Sequence, residues 1–314
     1  MRTLISAVSA TTRRERLLVQ AAGYLELTKP RVVALIVFTA VVGMFLATPG
    51  YVPLNVLVFA TLGISLAAGS AAAFNHILDQ GVDAIMVRTR ARPLPTGQLT
   101  PRQAVIFAVI LAFLSMTTLV FGVNSLTAAL AFLSFIGYAV IYTIFLKPAT
   151  PQNIVIGGAA GAAPPVLGWT AVTGSISSDA LLLFLIIFIW TPPHFWSLAL
   201  YREREYAKVG IPMLPVTHGS KYTRQYILFY TILLAVVTVM PFATGMSGLF
   251  YLIGAVALNA RFIAYAWKLY RNYSDAVARK TFGYSIQYLT ALFTLLLVDH
   301  YRIVIDGALQ SVFH

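Results

Sequence analysis

The chain alternates long apolar runs with short polar breaks. A bilayer's hydrocarbon core takes roughly 20 apolar residues to cross as a helix. Nine runs approach or exceed that length, near 32–48, 53–78, 103–121, 125–146, 153–173, 180–200, 224–243, 247–269 and 283–304. The breaks carry turn chemistry: Thr48-Pro49-Gly50, Pro93-Leu94-Pro95-Thr96-Gly97, Lys147-Pro148, Gly174-Ser175, Pro212 to Gly219 and Thr244-Gly245. The pattern predicts an all-α, polytopic membrane helix bundle with nine transmembrane helices. It assigns 1–30 to an N-terminal tail, 31–305 to the transmembrane domain and 306–314 to a short C-terminal tail.

Composition agrees. Of 314 residues, 59% are hydrophobic and 10% charged, against roughly 25% charged in soluble proteins. The net charge of +12 suggests nucleic acid only until the basic residues are placed. With the N-terminus inside, they fall in the tail (2, 13, 14, 16, 29, 31), the second-to-third loop (88, 90, 92, 102), Lys147, the sixth-to-seventh loop (202, 204, 208, 221, 224) and the eighth-to-ninth region (261, 268, 271, 279, 280). Only Arg302 lies outside. The positive-inside rule then accounts for the charge without a nucleic-acid partner. It supports an odd number of spans, a cytoplasmic N-terminus and a periplasmic C-terminus, as expected of a bacterial inner (plasma) membrane protein. Residues 1–30 lack the apolar core of a signal peptide and read as a cytoplasmic tail. An amphipathic surface helix near Arg13–Leu27 is the alternative to a loosely ordered one. No cysteine is present, so any metal must be held by oxygen or nitrogen.

Polarity inside the apolar chain concentrates at Asn75 to Gly97. Asn75, Asp79 and Asp83 are spaced i, i+4, i+8 and share one side of a helix. A single Asp at a helix end is commonly a solvated cap. Three oxygen-bearing side chains on one face, at the inner margin of a span, equally suit a metal–phosphate site. Mg²⁺ typically binds through one or two carboxylates plus substrate phosphates, with Asn75 as a neutral ligand or an orienting group. Arg88, Arg92 and Lys147 carry the topological signal. Arg88 and Arg92 share the acids' loop, which favours a guanidinium fork on phosphate oxygens.

A second polar loop, His194 to Gly219, also begins at a helix end and closes on a proline run before glycine. The likeness suggests duplication of a four-helix unit. Its Glu203 and Glu205 alternate with Arg202 and Arg204, so surface ion pairing stands beside any role at the site. Tyr201 and Glu205, at i and i+4, could face the metal side. The five histidines show no zinc spacing. His194 reads first as internally hydrogen-bonded, then as a porphyrin-orienting group or a base. The small residues from Gly157 to Ala163 allow close helix approach, and Pro164-Pro165 should break that span.

Together these segments resemble the UbiA-type intramembrane prenyltransferases, and within them the branch that farnesylates haem. The resemblance rests on Leu27-Thr28-Lys29-Pro30-Arg31, Asn75-His76-x-x-Asp79-x-x-x-Asp83 and Arg88-Thr89-x-Ala91-Arg92-Pro93-Leu94. It continues through Asn153 to Trp169 with its Gly-Gly-Ala-Ala-Gly-Ala-Ala-Pro-Pro core, then Trp190-Thr191-Pro192-Pro193-His194-Phe195-Trp196 and Gly210-Ile211-Pro212-Met213-Leu214-Pro215. It covers about residues 25–305. It implies the UbiA-type fold and Mg²⁺ bound with farnesyl diphosphate. It also implies farnesyl transfer to a vinyl of haem b, with water supplying a hydroxyl, to give haem O. Asn75, Asp79, Asp83, Arg88 and Arg92 would form the diphosphate site, and Lys147, His194, Tyr201 and Glu205 would contact substrate. Haem A synthase or terminal-oxidase assembly are the implied partners. Many relatives carry a second motif, Asp-x-x-x-Asp, four residues before a glycine; here that register holds Arg202 and Tyr206, with Glu205 the nearest acid. Competing readings are a quinone-precursor prenyltransferase, an ion-coupled transporter and a non-enzymatic haem-binding subunit using His194 or His76.

Overall fold

A computed structural model describes the backbone of residues 13–313 and the side chains of 17–302. Every regular element among the described residues is helical. The order is α1 (Arg13–Leu27), α2 (Pro30–Leu46), α3 (Leu54–Leu78), α4 (Gln80–Ile85), α5 (Pro101–Gly122) and α6 (Ser125–Ile136). The chain of α6 widens into a π-helix over Gly137–Leu146 before the short α7 (Lys147–Ala149). There follow α8 (Asn153–Ala162), α9 (Pro164–Thr173), α10 (Ser178–Tyr201), α11 (Glu203–Lys208), α12 (Leu214–Val237), α13 (Met240–Ala243), α14 (Leu249–Arg271) and α15 (Asp275–Phe313). Eight helices or helix runs among the described residues are long and apolar enough to cross a membrane, and counting α1 with α2, bent by 46° at their junction, as one span makes nine. The chain is a multi-pass membrane protein.

Local chemistry sets the ends. Thr100 and Gln103 form a reciprocal capping box at α5. The Asn124 side chain accepts from Thr127 N at 2.8 Å to start α6, and Ser177 Oγ accepts from Ala180 N at 3.1 Å to start α10. Pro30, Pro101 and Pro164 occupy first turns, where a missing N–H costs nothing. The double proline separates α8 from α9 at Ala163, as its chemistry predicts.

Three features depart from the sequence reading. Residues 13–27 form α1, the helical alternative for the tail rather than the loosely ordered one, and the last helix runs on to Phe313; residues 1–12 and 314 lie outside the described residues. The stretch 212–219, expected as a break, is helical from Leu214 with its bend at Gly219 (φ 80°, ψ 165°). Glycine permits that left-handed backbone value. The π-helical turn at 137–146 had no warning in the apolar pattern.

The tightest packing joins α2 to α9. A Cβ on Gly168 would lie 1.9 Å from the Ala40 carbonyl oxygen, and one on Gly43 would lie 2.3 Å from that of Pro165. Only glycine lets these backbones meet, as at other close helix contacts in lipid. Buried polar groups are paired across helices: Ser70 Oγ donates to Ala108 O at 2.7 Å and Ser115 Oγ to Gly63 O at 2.7 Å, tying α3 to α5. Asp299 on α15 accepts from the backbone N–H groups of Gly248 and Tyr251, capping α14. At the other end of the bundle, Met86 of the first polar loop shares an apolar cluster with Trp196, Tyr206, Ile211 and Leu214. That cluster brings the two polar loops together.

Candidate diphosphate and acceptor site

Helix α3 stops at Asp79 (φ −86°, ψ 1°), and α4 restarts immediately after it. The three polar residues therefore stand on two helices meeting at Asp79, rather than on one continuous helix. Asn75 and Asp79 still share a side, since Asn75 Nδ2 donates to Asp79 Oδ2 at 2.9 Å. The same carboxylate oxygen accepts from Lys147 Nζ at 2.5 Å. Lys29 Nζ donates to Asn75 Oδ1 at 2.5 Å. Asn75 Nδ2 also lies 3.4 Å from Thr143 Oγ1. Asp83, 3% exposed, accepts from Arg92 Nη1 at 2.6 Å. Thr89 Oγ1 closes the loop onto the Asp83 carbonyl at 3.1 Å.

Tertiary structure supplies the cations. Lys147 follows the π-helix, whose Thr143 Oγ1 donates to the carbonyl of Tyr138 at 2.8 Å. The wider turn sets Tyr138 and Tyr142, stacked 5.5 Å apart, within electrostatic reach of Asp79. Such π-turns often sit at functional sites. Lys29 has φ 50° and ψ 60°, making it the one described non-glycine residue with positive φ. Strain of this kind costs about 1–3 kcal/mol and concentrates at functional positions.

The donor set suits Mg²⁺. No group of three or more His, Cys, Asp or Glu side chains able to hold a metal occurs among the described residues, which argues against an all-protein cage. Asp79 and Asp83 are both bound through Oδ2, and their Oδ1 atoms have no hydrogen-bond partner among the described residues. Two carboxylates with a free oxygen each, surrounded by cations, match an ion that completes its shell with phosphate and water. Asn75 presents its amide oxygen to Lys29 and so orients the cluster.

The second loop repeats the backbone of the first with different charges. Helix α10 stops at Tyr201, Arg202 takes the junction position (φ −117°, ψ 10°), and the six-residue α11 follows, just as the six-residue α4 follows Asp79. Arg202 thus stands where the first loop has Asp79, and Tyr206 stands where it has Asp83. Glu205 is clasped by Arg202, and Glu205 Oε2 and Arg202 Nε are buried without partners. Burial raises the phenol of Tyr206 above its ordinary pKa. The Arg202 and Arg279 guanidiniums lie 5.5 and 5.1 Å from the centre of the Tyr201 ring. Arg88 is exposed and makes no ion pair with Asp83 or any other carboxylate among the described residues.

His194 stacks between Trp190 (4.3 Å) and Phe282 (4.6 Å), and its Nδ1 lies 2.7 Å from Ser285 Oγ. The internal hydrogen bond anticipated for it is present. Trp196 is fully buried in the apolar cluster between the loops, and Phe74 packs edge-on against Phe135. An apolar cavity of about 250 Å³ between α3, α5 and α6 is lined by Ala67, Phe132 and Phe135 among others. The sequence reading assigned no site role to Lys29, Thr143, Arg202 or Arg279. Only Lys29 left a signal, within the Leu-Thr-Lys-Pro-Arg segment.

The fold and this site define a class. Residues 36–296 match the model of the UbiA prenyltransferase family, and the chain belongs to that family. It is 62% identical over 278 residues to the protoheme IX farnesyltransferase of Nitrosospira multiformis, covering 88% of this chain and 93% of that one. In fold it is similar to a solved digeranylgeranylglyceryl phosphate synthase (TM-score 0.76, 18% identity, 90% of this chain and 99% of that one). It is also similar to a UbiA homolog from Archaeoglobus fulgidus bound to GPP and Mg²⁺ (TM-score 0.57, 16% identity, 87% of this chain and 99% of that one).

Proposed function

We propose that this enzyme transfers the farnesyl group of farnesyl diphosphate to a vinyl group of haem b. The product carries a hydroxyethylfarnesyl side chain and diphosphate is released. The likeness to protoheme IX farnesyltransferase over nearly the whole chain supports the substrates. The observation that carries the chemistry is the polar cluster of Asn75, Asp79 and Asp83 with Lys29, Arg92 and Lys147 around it.

Breaking an allylic C–O bond leaves negative charge on the diphosphate and a delocalised cation on the prenyl chain. Mg²⁺, held by Asp79 and Asp83, would supply Lewis-acid stabilisation of that leaving charge. Arg92, Lys147 and Lys29 are placed to turn from the carboxylates and the amide to the phosphate oxygens. Asn75 keeps Lys29 and Asp79 in register. The apolar helix walls exclude water from the cation, and aromatic faces can stabilise it. Residues 31–305 serve as the catalytic membrane domain, preceded by a segment that includes α1 and followed by the last turns of α15. The distribution of basic residues supports a site at the cytoplasmic face of a bacterial inner membrane. Haem O made there would feed haem A synthase and terminal-oxidase assembly.

The test uses purified protein with haem b, farnesyl diphosphate and Mg²⁺, and reads the pigment by mass. A farnesylated, hydrated haem is expected, dependent on the metal. Prenylation of an aromatic quinone precursor with no haem product would overturn the assignment.

A further inference from the structure

Arg261 stands halfway along a membrane span. Helix α14 runs from Leu249 to Arg271 and is apolar enough to cross a bilayer. At helical rise Arg261 lies about 18 Å from Leu249 and about 15 Å from Arg271. The sequence pattern groups it with the inside basic residues, yet neither end of the span is close enough for an arginine to reach by extending its stem. Arg261 is exposed on the outer face of the bundle. Its guanidinium carbon lies 4.9 Å from the centre of the Tyr284 ring and 6.0 Å from that of Tyr265. Tyr284 is fixed there by donating its hydroxyl to the Leu258 carbonyl at 3.0 Å. The ring faces attract the charge but leave its N–H groups without acceptors: Arg261 forms no ion pair or hydrogen bond among the described residues. Charge at this depth is costly and normally meets a partner.

Its surroundings differ from an ordinary lipid-facing surface. Helix α5 turns Ile106, Val109, Ile110 and Phe113 outward. Beside Arg261, the exposed residues at i−4, i−1 and i+3 are Ala257, Ala260 and Ala264, which lie on its face of the helix. Small residues on an outward face let a second helix approach closely in lipid. Helix α14 packs on α12 and α15 and contributes no residue to the diphosphate cluster, so contacts on its outer face leave that site free.

We propose that this face of α14 docks a membrane-spanning helix of a different protein, one that carries a carboxylate at mid-depth, with Arg261 as the anchor of the contact. Charge decides the occupant. A second copy of the chain does not fit: α14 paired with α14 sets Arg261 against Arg261, and the exposed acids among the described residues, Glu26 and Asp275, lie at helix ends. A lipid headgroup stays at the membrane surface, at the wrong depth. An acid packed against Arg261 satisfies both groups, and the alanines bring the two backbones close enough to exclude lipid between them.

The test reconstitutes the full-length protein in phosphatidylcholine vesicles with a labelled synthetic transmembrane peptide, a leucine–alanine helix bearing one central glutamate, and follows association by energy transfer. The same peptide with glutamine at that position is the reference. The glutamate peptide should associate about 5-fold or more tightly than the glutamine peptide. Arg261→Leu should erase that preference while eluting on gel filtration as the native protein does. Lys268→Gln removes an exposed charge in the last turn of the same helix and should leave the preference intact. Equal association of the two peptides with the native protein would overturn the proposal. So would a preference that survives in Arg261→Leu, or one lost equally in Lys268→Gln. Loss of the preference when phosphatidylglycerol is added would assign the face to anionic lipid instead.

Discussion

The two polar loops share a helix end, a six-residue helix and a proline run, but they settle their charges differently. In the first, Asp83 pairs with Arg92 of the same loop, but the other partners come from far along the chain: Lys29 is 46 residues from Asn75, and Lys147 is 68 residues from Asp79. In the second, Glu205 is closed by Arg202 three residues away. A carboxylate held by distant cations is a convergent site, because bundle assembly itself aims the charges. A carboxylate held by its neighbour is already neutralised before the helices meet. Acidity alone does not separate the loops. The reach of their partners does.

The largest expected effect is that of Asp79→Asn. Loss of the carboxylate at the junction should lower product formation by about 10²–10³-fold or more, with membrane insertion unchanged, as read by pigment mass and fractionation. Normal turnover would remove the first loop from the metal site. Lys147→Met comes next. It deletes a charge-assisted contact worth about 1.5–3 kcal/mol, so farnesyl diphosphate should bind roughly 10- to 100-fold more weakly. Arg202→Gln should change that binding by no more than a few-fold. Equal losses in the two variants would erase the division between the loops. Glu205→Gln should leave the Mg²⁺ dependence of turnover unshifted, and a higher midpoint would make the second loop a metal site. A small effect on stability alone falls outside both loops. Ser285→Ala leaves His194 Nδ1 without its partner and should cost about 1 kcal/mol of stability, seen as a small drop in Tm with product still formed.

Much of this was legible in the sequence because lipid simplifies the code. An apolar run of sufficient length has to become a helix, so the observed spans follow the expected ones closely. Pro164-Pro165 interrupts its span at Ala163 without bending it out of line, and Pro192-Pro193 leaves α10 continuous. Asp79 and Asp83 stood out because acids are rare at membrane depth. The π-turn was not legible, and although Arg92 and Lys147 were expected at the site, their pairing with Asp83 and Asp79 was not. Which cation meets which carboxylate depends on how α3, the π-helix and the α1–α2 junction are rotated about one another, and apolar periodicity in lipid says little about rotation. Arg88 shows the limit: it shares the acids' loop yet makes no ion pair with either acid. The helical spacing of Asn75, Asp79 and Asp83 put them on one side correctly, but it could not show that the helix ends at Asp79 and restarts.

The glycine contact between α2 and α9 bears on how such a site tolerates change. Lys29 caps the N-terminus of α2, and Gly43 lies 14 residues further along, about 21 Å at helical rise. Helix α2 acts as a lever pinned at Gly43 and Gly168, with the ammonium at its free end. A methyl group at Gly168, touching neither substrate nor metal, would tilt the lever and draw Lys29 off Asn75. The contact between Lys29 and Asn75 thus inherits its alignment from the opposite half of the bundle.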